Sequence, residues 1–411
     1  MFANILKSFG LEAQFWAALV GSSERQMEEW LAGQRELPSS VAEKLSKAIG
    51  VPLSILTGRE RIRGGVESVL PPLWLKAKQR GLGEPEHKTI ALTRLLAARY
   101  DEVLSLTDKA PATYRIHFEA IKQAVDPQSP ARLQGERAAN AFLAMTLLDK
   151  GATGIGEVMR GHLRALGLLV LETPINNKNL EGFCVPVGGK DCVRPCLVSN
   201  SYRTTWFRRN YVLLHELAHA IFDLEASNAV FDLDAHVDTS PDFRDIAEDR
   251  ADSFAMHTLL PRRLLIAFQN RGYDFRNLTP RDLAELIAKT HAEQGLFLRA
   301  AAEYGLISED ERTHLSRFDI ATILRELSYH ARGLAALSAN DVVYPEVLRW
   351  GSRLTTFPVA GMRLPVPYVK MVLEVLSQKR ISRGKAAELL MVTREDLTSY
   401  GVVAQVDQSA E

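Results

Sequence analysis

One stretch limits what this chain can be more than any other: Thr204 to Leu224, TTWFRRNYVLLHELAHAIFDL. It contains neither Pro nor Gly, and Leu214, Leu217, Ala218, Ile221 and Phe222 supply an apolar face, so the pattern predicts a buried amphipathic helix with HELAH at its middle. Residues four apart share a helix face, with Cβ atoms roughly 5–6 Å apart, so His215 and His219 can offer two imidazole nitrogens to one metal ion. Glu216 lies beside them, about 100° round the helix. Two neutral imidazoles, one carboxylate and an open position make the ligand set of a catalytic zinc, and Glu216 is placed to take a proton from water at that open position. The chemistry indicated is zinc-dependent hydrolysis of peptide bonds. Two core histidines would leave the same short motif, so a third ligand has to decide.

That ligand is expected on a second helix. Ser240 to Leu260 reads SPDFRDIAEDRADSFAMHTLL, with Ser240 as N-cap, Pro241 at the first helical position, Asp242 in the first turn and Pro261 beyond the end. Glu248, Ala251, Asp252 and Ala255 fall on one face at steps of three and four. Small alanines beside a carboxylate allow the close helix approach that a zinc–oxygen bond of about 2.0–2.2 Å requires. Glu248 is the expected ligand, with Asp252 and Asp245 as alternatives. The pattern HExxHxxGxxH is excluded, because Phe222 and Glu225 stand where it needs Gly and His. His257 falls about half a turn from the face of Glu248 and is read as a non-ligand.

YVLLHELAHAIFD followed by EDRADSFAMHTLLP resembles the ImmA/IrrE-type metallopeptidases of bacteria and their mobile elements. The pattern of that family is an Arg and an aromatic ahead of HELxH, then ExxA(N/D)xFAxxLLxP. Here the matching residues are Arg208, Tyr211, His215, Glu216 and His219, then Glu248, Ala251, Asp252, Phe254, Ala255 and Leu259 to Pro261. The resemblance covers roughly 134 to 270. It implies a regulatory protease whose protein substrate is a small helix-turn-helix repressor, cleaved in a DNA-damage, stress or mobile-element response. The best-known stress-response relatives carry a mixed α/β sensor-like domain at their C-terminal end; no strand-rich block is legible here.

The other segments frame this unit. Residues 1–58 break into helical pieces at GSS, AGQRELPSS and GVP, and resemble the Cro/CI class of helix-turn-helix domains, with Met27 and Trp30 as inward positions of the recognition helix. Its five Lys/Arg face six Glu, an unusual balance for binding phosphates. Two uses follow. The unit contacts DNA through Arg25, Gln26, Arg35 and the arm Arg59, Arg61 and Arg63, or it keeps the fold and holds a protein. Residues 59–133 read as a hinge and helical connector, and 271–411 as a helical region with helix-turn-helix-like segments at 278–310 and 382–401. Within 134–270, helices over Glu136–Leu148 and Ile155–Leu166 precede three β-prone runs, LGLLVLETPI, EGFCVPVGG and DCVRPCLVSN, which predict a small antiparallel sheet. An edge strand beside the metal helix could pair with an extended substrate.

The fold class expected is therefore mainly α with a small antiparallel β-sheet, an α+β peptidase unit in a multi-domain chain. His236, in the loop after the HELAH helix, is a candidate to polarise the scissile carbonyl, as are Tyr202, Tyr211 and Arg208. Cys192 and Cys196 are candidate regulatory thiols that could cap the zinc; three cysteines and no second pair exclude a disulfide framework and a separate structural zinc site. Fifty basic and fifty acidic side chains leave no net field toward nucleic acid or membrane. No long apolar run predicts a signal peptide or a membrane span, so the cytoplasm is the expected compartment. The rival to the enzyme is a DNA-binding transcriptional regulator whose peptidase-like domain senses metal or a partner without turnover.

Overall fold

The computed structural model describes residues 2–7, 9, 11–49, 51, 53–59, 83–107, 114–146, 155–173, 175, 180–187, 194–201, 204–224, 230–232, 246–326, 347–349, 363–390 and 397. The chain opens with α1 (Phe2–Lys7), α2 (Ala13–Val20), α3 (Glu24–Leu31), α4 (Ser39–Ile49) and α5 (Leu53–Leu56). Gly21, at φ 74°, ends α2 in the left-handed region that glycine adopts without strain. Ser23 and Gln26 then start α3 with a reciprocal capping box, at 3.2 and 3.3 Å. α6 (Glu84–Leu106), α7 (Tyr114–Gln123), α8 (Ala131–Thr146) and α9 (Ile155–Ala165) lead to β1 (Leu169–Thr173), β2 (Gly182–Val187) and β3 (Arg194–Asn200).

The sheet is mixed. β2 pairs antiparallel with β3, as expected from the sequence, but β1 runs parallel to β3, with Leu169 opposite Cys196. The spatial order β1-β3-β2 gives the reason: chain directions alternate along the sequence, and β3 inserts between the two strands before it, so the first and third become neighbours. Asn200 pins the crossing segment, accepting from Ile175 N at 2.8 Å and donating to Ile175 O and Leu180 O at 3.0 and 2.7 Å. Beyond the sheet come α10 (Trp206–Phe222), the short β4 (Val230–Asp232), α11 (Ile246–Leu259) and α12 (Arg262–Asn270). β4 pairs antiparallel with Gly182–Cys184 of β2, so this half of the anticipated free edge is occupied. The N-cap expected at Ser240 lies outside the described residues.

α13 (Pro280–Thr290) starts from a Thr279–Asp282 capping box with Pro at its first position, and α14 (Gln294–Glu303), α15 (Glu309–Leu315) and α16 (Ile320–Glu326) follow. β5 (Val347–Arg349) and β6 (Arg363–Pro365) form a separate two-stranded pair, ahead of α17 (Val366–Ser377) and α18 (Arg383–Leu389). No helix among the described residues is long and apolar enough to cross a membrane.

Strand alternation divides the hydrophobic interior. Leu169, Leu171, Phe183, Val185, Cys196 and Val198 face a core shared with α1 to α6 and with α17 and α18. Val170, Cys184 and Leu197 face a second core, built on α7 to α14. The sheet is thus a wall covered on both sides, and every residue of β3 is buried. The region beyond Asn270 contributes to both cores. α13 to α16 complete the second, whereas α17 and α18 lie on α6, where Tyr368 donates to Leu389 O at 2.6 Å and Lys385 pairs with Glu102 at 2.9 Å. The helix-turn-helix-like segment at 382–401 therefore buries Ala386, Ala387 and Leu389 as core.

A buried ion network ties β1 to α9 and α10. Glu172 Oε1 lies 2.8 Å from Arg160 and 3.8 Å from Arg209, with all three side chains nearly inaccessible. Burial opposes ionisation of Glu172, but the two guanidiniums outweigh it and hold its carboxyl below the usual carboxylate range. Replacing Glu172 with Gln removes the negative charge that two buried cations share. The expected loss is about 3–5 kcal/mol, read as a lower urea midpoint; an unchanged midpoint would remove the network from the account of stability.

Candidate metal centre

Thr205 begins α10 by accepting a hydrogen bond from Arg208 N at 3.0 Å. The helix then runs between the sheet and α11, so its central turns are buried on every side; His215 is 3% exposed, and Glu216 and His219 are fully covered. The four-residue step places the two imidazoles edge to face, with centroids 4.8 Å apart.

α11 supplies the carboxylate. His215 Nε2 lies 3.1 Å from His219 Nε2 and 3.1 Å from Glu248 Oε2, and His219 Nε2 is 3.5 Å from the same oxygen. Corners of a tetrahedron with bonds of about 2.0–2.1 Å stand about 3.3–3.4 Å apart, so these three donors are spaced as a zinc-sized ion needs. Two neutral imidazoles and a carboxylate are also the donor chemistry such an ion takes. His215, His219 and Glu248 form a group that could hold a metal ion.

The far nitrogen of each ring meets its own carboxylate. His215 Nδ1 lies 3.1 Å from Asp252 Oδ1, and His219 Nδ1 donates to Asp223 Oδ2 at 2.9 Å. At His219 the hydrogen bond from Nδ1 to Asp223 leaves the lone pair of the neutral ring on Nε2, toward the common point. Asp223 is itself gripped by Arg250, which also donates to Gln134 at 3.3 Å, and Asp252 accepts from Tyr211. Burial works against ionisation of Asp252, but His215, Tyr211 and Arg299 bring it down to about 2. Burial likewise opposes charge on Glu248, and hydrogen bonds from His215 and His219 overcome it, lowering its pKa.

Two glycines set how closely these parts approach. A Cβ on Gly135 of α8 would stand 2.4 Å from Arg250 O and 2.8 Å from Phe254 N, so α8 and α11 touch backbone to backbone. A Cβ on Gly182 would stand 2.5 Å from Val212 Cγ1 and 2.8 Å from Glu216 Oε1. The Glu216 carboxyl thus occupies space that any side chain at 182 would fill, against the strand that runs past the centre. Sequence reading singled out neither glycine, nor Asp223. Asp223 had a legible signal, since it follows His219 by one helical step of four, whereas nothing local marks the glycines.

The remaining expected site residues fall elsewhere. Cys196 lies on the sheet face opposite Leu197, in the core shared with α6, so its thiol points away from α10. Burial raises its pKa, as it does that of Cys184 on the opposite face. Cys192, His236 and Tyr202 lie outside the described residues. Arg208 pairs with Glu181, with Nε 2.8 Å from Oε2, and Tyr211 donates to Asp252. His257 bonds to Ser253 O at 2.8 Å and stacks edge-on to Tyr304. In the N-terminal unit Arg25 and Arg35 both pair with Glu29, at 3.2 and 3.6 Å, and Gln26 closes the capping box. Arg59 is exposed, and Arg61 and Arg63 lie outside the described residues.

Residues 163–309 match the Peptidase_M78 family model, the IrrE N-terminal-like domain. No curated protein matches the chain. The matched span carries both helices of the centre and supports a metallopeptidase-type enzyme; it continues through α13 and α14, two of the helices that complete the second core.

In the metal-free protein burial opposes charge on His219, but its bonds to Asp223 and Glu248 raise its pKa to about 9. Metal uptake at pH 7 should therefore expel about one proton, with apparent affinity rising with pH until His219 is neutral. Calorimetric Zn2+ titration in buffers of different ionisation enthalpy measures this, and uptake without proton release would contradict it.

Proposed function

We propose that the chain is a regulatory zinc-dependent endopeptidase whose protein substrate is a small helix-turn-helix repressor, acting in the cytoplasm in a stress, DNA-damage or mobile-element response. The observation that carries the reading is the convergence of two imidazole nitrogens and one carboxylate oxygen within 3.1–3.5 Å, on two packed helices, with a further carboxylate beside them. When bound, zinc would supply Lewis acidity, polarising a peptide carbonyl and acidifying a water.

The chain's own groups do the rest. His215, His219 and Glu248 hold the ion, with Asp223 fixing the His219 tautomer and Asp252 beside the His215 ring. Glu216 accepts a proton from the attacking water and returns it to the leaving amine. Its carboxyl lies against Gly182, where β2 passes the centre, on the side where an extended peptide would run. At Gly182–Cys184 that edge carries β4, so substrate backbone would have to pair further along β2, at Val185–Val187.

The N-terminal unit is read as a Cro/CI-type domain that presents the target. Its α3 displays Glu24 and Glu28, and its two candidate base-reading arginines are already paired with Glu29, which supports a protein partner over DNA. Binding of a labelled duplex in the nanomolar range at physiological salt would overturn that part.

Glu216→Gln is the decisive variant. It should keep one zinc per chain and lose at least about a hundredfold in cleavage of a helix-turn-helix repressor encoded beside the gene. Loss of cleavage together with retained zinc supports the enzyme. An unchanged cellular phenotype with no cleavage by the parent protein would favour a metal- or partner-sensing regulator instead.

A further inference from the structure

We infer that Arg299 of α14 is a positioning residue for the metal centre: by pairing with the carboxylate that holds His215, it sets how tightly the centre binds its ion. The inference rests on the preceding reading only for the premise that His215, His219 and Glu248 bind a divalent cation.

Asp252 is the joint. Its Oδ1 faces His215 Nδ1 at 3.1 Å and accepts from the Tyr211 hydroxyl, while its Oδ2 lies 4.0 Å from an Arg299 terminal nitrogen. The Arg299 guanidinium also sits 5.9 Å from the centroid of the Tyr211 ring. One oxygen accepts from α10 and faces His215, and the other lies at ion-pair distance from α14, which restrains the carboxylate beside the His215 ring. Arg299 reaches the centre through Asp252, directly and by way of Tyr211, whose hydroxyl donates to the same carboxylate.

The surroundings make the guanidinium more than a spectator. Asp252 and Arg299 line a cavity of about 90 Å³, together with Arg132, Asp249, Ser253, Met256 and Glu303. Two of those neighbours are acids. Without Arg299, Asp252 Oδ2 would face water and like charges across the cavity, and the carboxylate could turn away from His215. Arg132 lines the same space from α8 without pairing with Asp252, so it provides an internal control for the overall charge of the cavity.

The test is Zn2+ affinity, read by competition with a chromophoric chelator on the full-length protein, and it needs no substrate. Arg299→Ala should weaken binding by about tenfold, the lower end for removal of an outer-shell partner, and Arg132→Ala should change it by less than about twofold. Arg299→Lys, which keeps the charge, should restore part of the loss, and it serves as the folded comparison if the alanine variant is unstable. Because the effect passes through Asp252, the double variant Asp252→Asn with Arg299→Ala should bind no more weakly than Asp252→Asn alone. Equal affinity of Arg299→Ala and parent, or an equal loss in Arg132→Ala, overturns the inference. A parent protein that takes up no zinc overturns the metal reading itself; a parent that loses zinc on His215→Ala but not on Arg299→Ala sinks only the role of Arg299.

Discussion

Two imidazoles one helical turn apart face a common point only if each ring is held by its other nitrogen, and that constraint organises the centre of this molecule. An imidazole free to turn about its χ angles would scatter its Nε2 lone pair. Here Asp223 accepts from His219 Nδ1 and Asp252 lies 3.1 Å from His215 Nδ1, and each acid faces an arginine, Arg250 or Arg299. The two rings are shielded from water, since α10 lies buried between the sheet and α11, whereas Asp252 and Arg299 stay partly exposed.

The same requirement explains why the sheet is a shared wall. Burying α10 from one side takes a surface, and the surface is the face of β1, β2 and β3 that carries Val170, Cys184 and Leu197. Its other face is equally apolar and is closed by α6 with the N-terminal helices and the α17–α18 pair. Position 182 shows how tight the wall is, since the Glu216 carboxyl and Val212 use the space a side chain would take. The Glu172 network ties the end of β1 to α9 and α10, so α10 cannot shift along the sheet without breaking buried ion pairs.

Charge has a different part in the N-terminal unit. Glu29 collects both Arg25 and Arg35, and the exposed face of α3 is left with Glu24 and Glu28. A helix that reads DNA normally meets phosphates with unengaged cations. The α18 segment, which has the same helix-break-helix rhythm in sequence, spends its apolar positions on α6. Periodicity alone does not separate a DNA-reading helix from a packing helix, because both need one apolar face.

The amino-acid sequence by itself determined the local parts. The HELAH spacing, the Ala and Glu pattern of α11, the capping residues at Ser23, Thr205 and Thr279, and the alternation of the three strands are set by interactions within a few residues. The mainly helical α+β class follows from them. Only the tertiary structure decided that β3 lies between β1 and β2, which makes the sheet mixed, that Cys196 turns its thiol from the centre, and that α17 and α18 join the N-terminal core. It also brought Arg299 to Asp252 and Gly182 to Glu216. Each of these depends on which distant surface an apolar face finds, and no spacing along the chain encodes that partner.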